Sequence, residues 1–139
     1  MEHALPLPFS GPSAWRGRDV AQRSDWLIEL TIQQIAELES AAAHCRSLGR
    51  DVGEITADAF PLPTFAAHLA SLSNTLLNGH GFEVLRGLPV ATYTQETAAT
   101  IFCGIGAHLG RARSQNAAGH ILGHVRNIGA DANDTNTRI

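Results

Sequence analysis

The chain has no lysine. All ten of its basic residues are arginine, set against thirteen Asp and Glu in 139 residues, which leaves a formal charge of -3. No global basic field therefore points to nucleic acid or to an anionic membrane surface. Arginine suits planar, bidentate contacts with carboxylates, although an Ala- and Gly-rich sequence also gains arginine from high genomic GC content. Cysteine is scarce: Cys45 and Cys103 lie far apart and outside any Cys-x-x-Cys pair. Neither a disulfide framework nor a cysteine zinc site is indicated, and a reducing cytoplasm is the expected compartment. No apolar run approaches membrane-spanning length, and the start MEHALPLPFSG lacks the basic and apolar regions of a signal peptide. A Gly-Lys-Ser/Thr phosphate loop and a nucleophile elbow are also missing. None of the seven histidines, at 3, 44, 68, 80, 108, 120 and 124, is followed two positions later by Asp or Glu. That removes the usual first half of an iron site built from two histidines and one carboxylate.

What is present suits a folded chain: 44% of residues are hydrophobic and 17% charged, and the length fits one domain or part of one. Pro6, Pro8, Gly11, Pro12 and Gly17 predict an extended arm over 1–23, with Trp15 as its packing anchor, ahead of a body over 24–139. WLIEL (26–30) reads as a short strand. Thr31 and Gln34 have the form of a capping box opening a helix, with Ile32, Ile35, Leu38, Ala42, Cys45 and Leu48 on one face and Gly49 at its end. Pro61 and Pro63 introduce a second helix through Phe65, Leu69, Leu72, Leu76 and Leu77, stopped by Asn78 and Gly79. FEVLR (82–86) is a strand closed by Gly87 and Pro89. Thr94 caps a third helix through Ile101, Phe102, Ile105 and Leu109, ending at Gly110. GHILGHVRN (119–127) is expected to be a strand, because glycines would weaken a helix there, and the tail DANDTNTRI is rich in turn formers. Three helices with two or three strands give an α+β layout.

Several residues invite a chemical reading. His120 and His124 are spaced as a helical zinc pair, but no Glu lies between them, and on a strand they stand about 13 Å apart. Hydrogen bonding is the plainer role for them. GIGAHLGR lies at the back of a helix rather than between a strand and a helix N-terminus, so Gly104 and Gly106 read as close-packing positions and not as a phosphate cradle. RARSQN (111–116) is a polar loop in which Gln115 and Asn116 either contact a substrate or satisfy nearby backbone. Cys103 sits on an apolar helical face, with no triad partner.

Taken in order and spacing, PSAWRGRD (12–19), DWLIELT (25–31), FPLP (60–63), LLNGHGFEVLRGLPV (76–90), GIGAHLG (104–110) and SQNAAGHILGHVRNIG (114–129) resemble the amino-terminal part of one family. It is the taurine dioxygenase-like (TauD/TfdA) family of iron(II)- and 2-oxoglutarate-dependent oxygenases. The resemblance covers nearly the whole chain and is most specific over 78–89 and 115–125. It implies helices plus the first strands of an incomplete double-stranded β-helix, or jelly roll, with FEVLRGLPV as an early strand of the main sheet. It also implies that LGHVRN leads towards the iron ligands, His-x-Asp/Glu and a distant second His, with an Arg near that His holding 2-oxoglutarate.

Because that triad is absent from the sequence, no catalytic, iron or co-substrate residue is transferred. The implied reading is an amino-terminal segment truncated before the metal-binding core and inactive alone, with Fe(II) and 2-oxoglutarate belonging to the full-length family. Gln115 and Asn116 would stand at the rim of the substrate pocket. A small-molecule substrate is expected only if the missing carboxyl-terminal part completes that pocket, and self-association through an exposed sheet is the other expected contact, without nucleic acid or membrane. The alternatives are a self-contained α+β binding module that docks on a full-length relative, and a small metal protein built on His108, His120 and His124.

Overall fold

The computed structural model describes residues 7–125. The expectations for residues 1–6, for the last two positions of the 119–127 strand and for the tail fall outside them. Helices and a two-stranded parallel sheet make the described part α+β. It divides into two compact units, one formed by residues up to Leu38 with Leu62–Thr92, the other by Glu39–Pro61 with residues from Tyr93 onward.

In the first unit, Gly17–Val20 forms a single helical turn, α1, where the glycine and proline pattern predicts extended chain. Strand β1, Leu27–Glu29, pairs in parallel with β2, Val84–Arg86, placing Leu27 beside Val84, Ile28 beside Leu85 and Glu29 beside Arg86. Helix α2, Ile32–Ser47, opens on the expected capping box. The Thr31 N–H donates to Gln34 Oε1 at 2.9 Å, and the Gln34 N–H donates to Thr31 Oγ1 at 3.2 Å. The helix crosses from one unit to the other after Leu38.

Helix α3, Phe65–Asn78, follows the prolines as expected, but its leading N–H groups are met by a residue distant in sequence. The Glu37 carboxylate accepts from the N–H groups of Thr64 and Phe65, at 2.8 and 3.1 Å, and from the Thr64 hydroxyl. At the other end Gly79 and Gly81 both donate to the Thr75 carbonyl, and Gly81 has φ 87, a left-handed conformation that side chains resist. Leu30, Leu38, Leu62, Phe65, Leu69 and Leu72 are buried, whereas Ile32, Leu76 and Leu77, placed on core faces by periodicity, are exposed.

An aromatic group lies beside the sheet. Trp15 and Trp26 approach Phe82 with centroids 5.1 and 5.8 Å away. Trp15 Nε1 donates to the His80 carbonyl at 2.9 Å, so Trp15 anchors its segment as expected. Trp26 Nε1 donates to the Val20 carbonyl at 3.1 Å.

In the second unit the last half of α2 buries Ala41, Ala42 and Cys45, and the half-exposed Leu48 falls off the predicted face. Gly49, at φ 66, ends the helix. Helix α4, Gln95–Leu109, starts as predicted at Thr94, whose Oγ1 accepts from the Thr97 N–H at 3.1 Å. Ile101 is buried against this unit's core, but Phe102 is 68% exposed. A Cβ at Gly104 would stand 2.4 Å from the Phe60 ring, which is the close approach expected of it; Gly106 faces open space instead.

The expected strand over 119–127 does not form across its described part, 119–125. A strand needs a partner ladder, and the backbone bonds here are local: Gly119 N–H to Asn116 C=O, and Gln115 N–H to His120 C=O. The branched residues that suggested a strand instead lie along a cleft.

Candidate functional site

That cleft belongs to the second unit and has a volume of about 1110 Å³. Three stretches bound it: residues 52–57, the last turns of α4, and the chain from Gly110 to Val125. Asp51 organises the first stretch by accepting the Gly53 N–H at 3.1 Å, and a Cβ on Gly53 would press on Ile121 at 3.2 Å. On α4, Gly106 has no side chain and leaves space next to Phe102 and Cys103. Helix α4 itself is tied to α2 by Arg46, which donates to Thr97 Oγ1 at 3.1 Å and to Glu96 at 2.8 Å.

Gln115 and Asn116 both border the cleft. The Asn116 amide is largely engaged with its own loop. Its Oδ1 accepts from the N–H groups of Ala118 and His120, each at 3.1 Å, and its Nδ2 donates to His120 Nδ1 at 2.9 Å. Gln115 Nε2 donates to the Arg113 carbonyl at 2.8 Å. Its Oε1 has no hydrogen bond among the described residues, so Gln115 keeps more capacity for a ligand than Asn116 does.

The three histidines of this region go separate ways. His108 Nε2 bonds the Phe60 carbonyl at 2.7 Å, His120 is held by Asn116, and His124 Nδ1 lies 3.4 Å from Gln95 Nε2. Among the described residues no three His, Cys, Asp or Glu side chains come together to hold a metal ion. The donor set therefore does not fit iron. Nor do the cysteines offer thiolates. Burial pushes the Cys103 thiol up, with the Asp51 charge adding to it, and burial likewise raises Cys45 against a smaller opposing effect of Arg50. Tyr93 is pushed up to about 12 by burial and then by its bond to Glu39 at 2.6 Å, so it stays protonated.

In the first unit His68 meets the largely buried Glu83 at 2.6 Å and stacks on Phe65 with an interplanar angle of 8°. This pair ties α3 to the segment leading into β2. Periodicity gave no sign of Glu37, His68 or Glu83, because each acts on a residue brought near only by the fold.

No described helix is long and apolar enough to cross a membrane. No family model matches the chain. It is 30% identical over 129 residues, 93% of its length, to an FR-33289 synthase of Streptomyces rubellomurinus. It is 29% identical over 113 residues, 81% of its length, to a taurine hydroxylase-like protein, SAT17, of Stachybotrys chartarum. The chain spans 38% of the first relative's length and 29% of the second's. Nearly the whole chain is thus similar to a stretch of these two relatives, an FR-33289 synthase and a taurine hydroxylase-like protein, that makes up well under half of either.

Proposed function

We propose that the chain is the front portion of an iron(II)- and 2-oxoglutarate-dependent oxygenase. It would supply helical cover, the first strands of a jelly roll and one wall of the substrate pocket, but not the catalytic centre. The observation that carries this reading is similarity over 93% and 81% of the chain to relatives of which it spans 38% and 29%. The absence of His-x-Asp/Glu from the sequence, and the separation of the histidines that border α4 and its following loop, agree with a metal site formed by other residues. Iron and 2-oxoglutarate, when bound by those residues, supply the oxidation. This chain's part is to bound the cleft, with Gln115 at its rim and Asn116 fixing the loop that carries it.

Two measurements test the reading. Purified 1–139 supplied with ferrous iron and 2-oxoglutarate is expected to consume no co-substrate, and turnover by it would overturn the assignment. The coding sequence beyond Ile139 is expected to continue into a His-x-Asp or His-x-Glu motif; a frame that stops without one would favour the self-contained binding module instead.

A further inference from the structure

Asn78 is the one asparagine of the sequence that is followed by glycine. An Asn-Gly bond is the most reactive setting for an asparagine. The glycine has no side chain to obstruct attack by its backbone nitrogen on the Asn side-chain amide. Here the fold leaves that position little choice of residue. A Cβ at Gly79 would stand 2.9 Å from the Thr75 carbonyl oxygen and 3.1 Å from the Thr75 Cα, both backbone atoms. The tight exit from α3 therefore imposes the pairing that makes Asn78 labile.

The same exit restrains the reaction. Asn78 is the last residue of α3 and is exposed. The N–H of Gly79, whose nitrogen is the nucleophile, donates to the Thr75 carbonyl at 3.0 Å. The leaving group, Asn78 Nδ2, donates to Asn74 Oδ1 at 2.8 Å. While both bonds hold, nucleophile and amide are each committed elsewhere. Both belong to the last turn of a helix, where opening is least costly.

We propose that Asn78 is a site of spontaneous deamidation, opened by fraying of the last turn of α3 and guarded by Asn74. The Gly79 nitrogen bonds to Asn78 Cγ, the Cγ–Nδ2 bond breaks, and the amide nitrogen leaves as ammonia with the proton of the Gly79 N–H. Water then opens the resulting succinimide at either carbonyl. One opening gives aspartate at position 78, the other isoaspartate, in which the main chain runs through the side chain. Either product sets a carboxylate at the C-terminal end of α3, where the helix dipole disfavours it. Isoaspartate also adds a backbone carbon just ahead of His80 and Phe82, against which Trp15 is anchored.

Peptide mapping by mass spectrometry tests this on purified 1–139 aged in mildly alkaline buffer, with and without urea. Aspartate and isoaspartate are expected at position 78, more slowly in the folded chain than in urea, with Asn74, which precedes Thr75, unconverted. Asn74→Val removes the guard at nearly equal helix propensity. It is expected to speed conversion in the folded chain about two- to tenfold and to leave the rate in urea unchanged. Asn74 is exposed, so the variant's circular dichroism spectrum should match the parent's. Asn78→Gln, which must close a larger ring, is expected to abolish the mass change at that position. Four results would each overturn the proposal: Asn78 intact in the folded chain once the unfolded chain has converted, equal rates with and without urea, conversion at Asn74 as fast as at Asn78, or an Asn74→Val rate equal to the parent's.

Discussion

Gly104 and Gly106 lie two positions apart on α4, and the sequence offers no way to tell them apart. Their surroundings do. A methyl group at Gly104 would meet the Phe60 ring at 2.4 Å, and at Gly106 it would meet nothing within 4 Å. Overpacking a ring that is fully buried costs roughly 1–3 kcal/mol. Replacing an unhindered glycine in a helix interior gains up to about 1 kcal/mol. Gly104→Ala is therefore expected to lower the denaturant midpoint and Gly106→Ala to raise it. Equal shifts in urea titrations would show that the Phe60 contact is not what the glycine protects. The cleft adds a second reading at the same residue, since a methyl at Gly106 would project into it.

At the scale of the element, the start of α3 depends on a carboxylate from α2. Burial acts to raise the Glu37 carboxyl, but the hydrogen bonds from Thr64 and Phe65 outweigh it and the net shift is downward from 4.5. A carboxylate lowered on folding contributes stability that is fully present above its unfolded value and lost as pH falls through its folded value. Glu37→Ala is expected to cost about 1–2 kcal/mol at neutral pH. The parent's stability should then decline more steeply than the variant's as pH falls below 4.5; parallel curves in acid-range melts would remove Glu37 from the account. This cap also marks the limit of what was legible in the sequence. The Thr31–Gln34 box, the Thr94 cap and both strands were readable because their signals lie within a few residues. Glu37 acts across 27 positions. The expected strand fails over its described part, 119–125, for the opposite reason: its branched residues carried the local signal, but a strand is completed by a neighbour, and the neighbour here is a cleft. Gln115 and Asn116 could be placed in a polar loop from sequence, yet only the bonds around His120 show which amide remains open.

For the molecule as a whole, apolar exposure is the feature with a measurable outcome. Leu77 on α3 is 80% exposed, Val84 on β2 is 43% exposed and Phe102 on α4 is 68% exposed. Among the described residues the two-stranded sheet also leaves an outer edge on each strand, a template for further pairing. The isolated chain is expected to self-associate, seen as a sedimentation coefficient that rises with concentration, and Val84→Lys is expected to reduce that rise without changing the melting midpoint. A coefficient independent of concentration for the parent chain would count against contact through the sheet. Another consequence concerns observation rather than stability. Both tryptophans, Trp15 and Trp26, converge on Phe82 in the first unit, and the second unit's one phenol is Tyr93. Indole emission is thus a built-in gauge of the first unit alone, and any unfolding confined to the cleft-bearing unit will be optically silent to it.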